Sequence, residues 1–149
     1  MTETNYRGAV QAAADALRQL HRGLTVAARR MYEDANQTQI SATDLFHQLK
    51  DNPAFAWLQP LTSLVSRLDD LPQDAELGAA EAAAVRREAM GLINPPEGED
   101  TAFYDQLYQA RSFAPELVVL HAHARAAVGA LPAETGDGPP TNGRVTPSA

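Results

Sequence analysis

The sequence predicts an all-α fold: an up-down helical bundle of four main helices, with one short helix between the first and the second. Three observations predict it. Apolar residues recur at alternating spacings of three and four along most of the chain, the period of one helix face. Alternating β-branched and aromatic runs, the mark of strands, are nearly absent. Proline, glycine and asparagine fall between the periodic stretches, and the connections are short enough to make successive helices antiparallel neighbours. A chain of 149 residues has the length of one domain around one core. The expected division is a helical domain over residues 1–131 and a disordered tail over 132–149.

The first helix is expected from Glu3 to Ala35. Val10, Ala14, Leu17, His21, Leu24, Ala28 and Met31 form its stripe, widened by Ala13, Leu20 and Ala27. Gly8 and Gly23 each weaken it by about 1 kcal/mol relative to alanine, and Asn36, which tolerates a left-handed backbone, is its expected stop. Ser41 with Asp44 three positions on reads as a capping box for a short helix from Ala42 to Lys50. Leu45, Phe46 and Leu49 are its apolar contacts. Asn52 is an N-cap and Pro53 a first helical residue for the second main helix. That helix carries Phe55, Trp57, Leu58, Leu61, Leu64, Val65, Leu68 and Leu71, and Pro60 predicts a kink or restart near Gln59.

Asp74 can cap a third helix from Ala75 to Ile93, with Leu77, Ala82, Val85, Ala89, Leu92 and Ile93 inward and Glu81, Arg87 and Glu88 outward. Residues 94–100, with Pro95, Pro96 and Gly98, form a loop. The last helical region, Thr101 to Leu131, has Phe103, Tyr104, Leu107 and Tyr108 in its first half and Leu117, Leu120, Ala124, Ala127 and Leu131 in its second. Pro115 disfavours helix at residue 114 and predicts a kink or break there. Beyond Leu131 the periodicity ends and proline, glycine, threonine and serine dominate.

The run from Asp51 to Leu61, Asp-Asn-Pro-Ala-Phe-Ala-Trp-Leu-Gln-Pro-Leu, resembles a segment of small bacterial all-helical proteins without an assigned activity. The resemblance implies a bacterial origin and a helical fold, and it implies no chemistry.

A net charge of -7 and a pI near 4.9 repel phosphates at long range, so neither nucleic acid nor an anionic membrane surface is an expected partner. Without cysteine there is no disulfide, thiolate metal site or cysteine nucleophile. No stretch approaches the length of a membrane span, and residues 1–6 show no apolar leader. The expected location is the cytoplasm.

No catalytic motif is present, and a non-enzymatic protein is expected. Asp44-Leu45-Phe46-His47 is the one carboxylate-x-x-histidine match, where a di-iron bundle needs two such repeats. His121 and His123 are two apart and point to nearly opposite sides of a helix, so no metal site is expected. Glu97, Glu99, Asp100 and Asp105 do not match a calcium loop. The leading expectation is an interaction protein that forms a homo-oligomer or binds a protein partner, because the long first helix outruns the second and third. The alternative is a bundle that binds haem or an apolar small molecule. There, His21 and His121, each in the stripe of a long helix, approach the ligand from opposite sides, and Phe55, Trp57, Tyr104 and Tyr108 line it.

Overall fold

The computed structural model describes residues 5–72 and 76–133, and every regular element among them is helical. These are α1 (Arg7–Asn36), α2 (Ala42–Asp51), α3 (Pro53–Ala56), α4 (Gln59–Asp69), α5 (Ala79–Ile93), α6 (Ala102–Phe113) and α7 (Glu116–Gly129). The expected N-terminus of the first helix at Glu3, the capping role of Asp74 and the tail from residue 134 onward lie outside the described residues.

Helix α1 is the axis of the fold. Its 30 residues span about 45 Å at about 1.5 Å per residue. Val10, Ala13, Ala14, Leu17, Leu20, Leu24, Ala27 and Ala28 are buried along it, while His21 and Met31 are half-buried. It ends one residue later than expected: Asn36 is still helical, and Gln37 adopts the left-handed conformation with φ 51°. The carboxylate of Glu33 then accepts from the Ile40 N–H at 2.7 Å, and the Arg29 guanidinium donates to the Ile40 carbonyl. These bonds tie the connector back onto α1 and bury Ile40.

The next two helices are capped at the expected residues, α2 by Ser41's own half of the expected capping box alone. Ser41 Oγ accepts from the Asp44 N–H at 3.1 Å, and Asn52 Oδ1 accepts from the Ala54 N–H at 2.9 Å. Phe46 departs from expectation: it is 73% exposed and packs edge-on against His47 instead of against the core. At Pro60 the chain restarts. After α3, a turn at Trp57 and Leu58 leads into α4, where Pro60 occupies the first turn and its missing N–H leaves no helical bond unmade.

α5 begins at Ala79, four residues later than expected, with the Glu81 carboxylate accepting from the Gly78 N–H at 3.0 Å. Its start is pinned beside the start of α1. Asn5 Oδ1 accepts from the Leu77 N–H at 3.0 Å, and the Tyr6 N–H donates to the Leu77 carbonyl at 2.8 Å. The residues expected inward are buried at Leu77, Ala82, Ala89 and Ile93, and Val85 and Leu92 are half-buried.

The bundle is a ring in which α1 packs on α4, α4 on α5, α5 on α7, and α7 back on α1. Cross-contacts give the directions. Tyr32 meets Phe55, His21 meets Thr62 and Arg18 meets Asp69, so α4 runs antiparallel to α1. Arg30 pairs with Glu116 while Gly23 faces Leu120, so α7 is antiparallel to α1 as well. The α1–α7 contact is the most extensive, and Gly23 lies within it, with Leu117 and Leu120 of the first turns of α7 closing over it.

The last region breaks at Ala114, whose φ of -128° and ψ of 91° are extended. The break is a reversal, not a kink. Residues 104 and 121 of a continuous helix would be about 25 Å apart, yet the rings of Tyr104 and His121 are 6.1 Å apart. α6 therefore folds back beside α7 and covers the C-terminal turns of α1 together with α3.

Candidate functional site

The two histidines singled out in the sequence belong to different contacts. His21 Nε2 lies 2.7 Å from Thr62 Oγ1 on α4, and the Thr62 hydroxyl also reaches the Leu58 carbonyl at 3.1 Å. Burial alone pushes the His21 imidazole below its usual pKa. His121, on α7, is 1% exposed, with Nε2 at 2.7 Å from the Ile93 carbonyl and Nδ1 at 3.1 Å from an Arg111 nitrogen.

The partners define the proton on His121. A carbonyl only accepts, so Nε2 carries the hydrogen; a guanidinium only donates, so Nδ1 offers its lone pair. The ring is neutral with both nitrogens used. Burial lowers its pKa most, the Ile93 hydrogen bond opposes the shift, and the charges of Arg111 and Arg125 add to it. His21 and His121 do not converge. α7 meets α1 at Gly23, and His21, two positions earlier, lies about 200° around the helix and turns to α4.

Tyr104, Tyr108 and Arg111 lie at i, i+4 and i+7 on one face of α6, which the reversal at Ala114 turns toward His121. Tyr104 stacks at a tilt on Tyr108, ring centroids 5.9 Å apart, and Arg111 lies over the Tyr108 ring at 4.9 Å. Arg111 is the residue that sequence reasoning missed. Its spacing from the two tyrosines was the available signal; the fold-back that brings it to His121 was not visible.

Phe55 and Trp57 sit elsewhere. Phe55 is fully buried against Tyr32, ring centroids 5.3 Å apart, and is core. Trp57 stacks at a tilt on Phe103 at 5.5 Å and donates its Nε1–H to the Ala54 carbonyl at 3.0 Å. It forms one wall of a cleft of about 240 Å³ between the end of α1, α3 and α6, with Met31, Tyr32, Ala35 and Gln106 among the other walls. A second groove of about 280 Å³ runs between α4 and α5 over Leu64, Leu68 and Val85, with the Arg67–Glu88 ion pair at its rim. The six residues proposed as one ligand site are thus distributed over three places: His21 with α4, Phe55 and Trp57 at the end of α1, and Tyr104, Tyr108 and His121 at the α6–α7 reversal.

The outer face of α7 is unusual. Leu117, His121, Ala124 and Val128 face inward, and a surface helix ordinarily turns charge outward on the opposite side. Here Val118, Val119, Ala122 and Ala126 are exposed, Val118 by 43% and Val119 by 70%. The helix is apolar almost all round, with only Glu116 and Arg125 charged, yet among the described residues only one side of it is covered.

Among the described residues no group of three or more histidines and carboxylates is gathered closely enough to hold a metal ion, and no helix is long and apolar enough to cross a membrane. No protein-family model, curated protein or solved structure matches the chain.

Proposed function

We propose that the chain is a non-enzymatic interaction protein, bacterial and cytoplasmic, that self-associates through the outer face of α7. The observation that carries the proposal is the exposed row Val118, Val119, Ala122 and Ala126 on a helix with almost no charge. Burying apolar area is favourable by about 25 cal/mol per Å², and the small Ala122 and Ala126 that continue the row beyond the valines let a second helix approach closely. An isologous contact of this face with a second copy covers both at once. The length of α1, the motive legible in the sequence, is not what supports the reading: α3 and α6 of the same chain cover the turns that α4 and α5 are too short to reach. A net charge of -7 argues against nucleic acid or an anionic membrane as partner.

Sedimentation velocity over a concentration series is expected to give a dimer or larger oligomer for the wild type and a monomer for Val119→Lys. A wild-type monomer at every concentration overturns the proposal.

The cleft beside Trp57 favours a second reading, a carrier or sensor of an apolar small molecule. A haem bridge between His21 and His121 finds no support in rings that point to different helices. Trp57 is the single tryptophan of the chain and lines the cleft, so its fluorescence reports occupancy. Titration with the uncharged apolar probe N-phenyl-1-naphthylamine is expected to change Trp57 emission, and Ala35→Leu, which adds bulk at the exposed wall, to abolish the change. An unchanged Trp57 emission removes this reading.

A further inference from the structure

We propose that the α6–α7 reversal is a receptor for a small oxyanion, a carboxylate or a phosphate, held by Arg111, with Arg125 one turn beyond His121 on α7 as a second cation. The inference rests on observations other than the apolar row of α7, which Arg125 borders.

Arg111 is held in place by groups that do not neutralise it. The Tyr108 ring supports one face of the guanidinium at 4.9 Å, and His121 Nδ1 takes one of its N–H donors at 3.1 Å. His121 cannot shift to relax this contact, because it is buried and its own Nε2–H is committed to the Ile93 carbonyl. Tyrosine face and imidazole are both uncharged, so the guanidinium keeps its full charge and most of its donors. A planar fork with its rotamer already fixed binds an oxyanion without first losing side-chain entropy.

The electrostatics point the same way. Arg18, Arg29, Arg30 and Arg67 each face a carboxylate. Among the described residues Arg111 and Arg125 form no ion pair, although acids outnumber bases 19 to 12 in the chain. Arg111 reaches the His121 ring directly, and Arg125 lies one helical turn beyond His121 on α7. Arg125 is exposed and Arg111 half-buried, so the corner is open to a solute. The half-exposed Tyr108 beside Arg111 adds a hydroxyl donor in reach of solvent.

The test is a pair of titrations followed by amide and arginine side-chain NMR shifts, one with inorganic phosphate and one with acetate, at constant ionic strength set with chloride. The expected result is saturable shifts at residues 104–125 with one or both anions. Tighter saturation by phosphate assigns a phosphate ligand, and tighter saturation by acetate assigns a carboxylate. Arg111→Gln is expected to weaken binding about tenfold or more, the loss of a charge-assisted contact. Arg125→Gln, at an exposed position where folding is not at stake, is expected to weaken it less. Shifts that rise linearly without saturating, or binding that is the same in both variants as in the wild type, overturn the proposal.

Discussion

His121 shows how a buried imidazole is made neutral by its neighbours. Ile93 supplies the acceptor, Arg111 the donor, Tyr104 a ring contact, and Arg111 and Arg125 the charge that opposes protonation. Its pKa in the folded chain is below 6.5, the value for the free side chain. The unfolded chain therefore binds a proton first as pH falls, and stability from this group is full above about pH 6.5 and lost as pH falls toward the folded value. Protonation at Nδ1 would also set two donors against each other. His21, lowered by burial, adds to the loss with the same sign. Urea denaturation of the wild type is expected to show falling stability between about pH 7 and pH 5. His121→Leu is expected to cost about 1–3 kcal/mol at neutral pH by leaving the Ile93 carbonyl unpaired, and to flatten most of the slope. A profile equally steep in that variant would contradict the neutral-imidazole assignment. The residues around His121 were partly legible: periodicity placed His121 on the inner stripe, but the partners that define its proton come from α5 and α6, at sequence distances that no local pattern reports.

Between elements, the α1–α7 seam depends on a glycine that local reasoning treats as a defect. A Cβ at position 23 would lie 2.7 Å from Leu120 Cδ1 and 2.9 Å from Leu117 Cδ2, so the two helices approach across the missing side chain. Leu117 is fully buried and has little room to move. Gly8 and Gly91 have nothing within 4 Å of such a Cβ. Alanine gains about 1 kcal/mol of helix propensity over glycine, while overpacking a core contact costs about 1–3 kcal/mol. Gly8→Ala is therefore expected to stabilise the protein by up to about 1 kcal/mol, and Gly23→Ala to destabilise it by about 1 kcal/mol, both read from denaturant midpoints. Gain at both positions would mean that the seam is looser than the packing indicates. The restart at Pro60 and the reversal at Ala114 have the same origin. Proline marks where a helix cannot run on, and neighbouring elements decide the angle.

Among the described residues, α1 is wrapped by the other helices and α7 is the helix left half uncovered. If the outer face of α7 meets a second copy, folding and association are linked, and the melting temperature rises with protein concentration. Val119→Lys is expected to remove that dependence and leave the dilute-limit melting temperature within about 2 °C of the wild type, because Val119 touches solvent and not the core. A large drop in dilute solution would instead make Val119 part of the fold.

Helix identity, the main breaks and most of the core were determined by the sequence itself, because each follows from contacts within a few residues: the three-four spacing that buries Leu17, Leu20 and Leu24, the caps at Ser41 and Asn52, the prolines at 60 and 115. Phe46 is the instructive exception, an apolar residue in the right period on a short helix whose neighbours did not come close enough to cover it. The tertiary structure alone decided that His21 and His121 serve different helices, that Gly23 is a seam, that α6 doubles back to place Arg111 on His121, and that the uncovered surface lies on α7 and not on α1. Each of these is set by which helices become neighbours and at what register, and that is fixed by the summed packing of the whole ring, a quantity spread over the chain and carried by no single stretch of it.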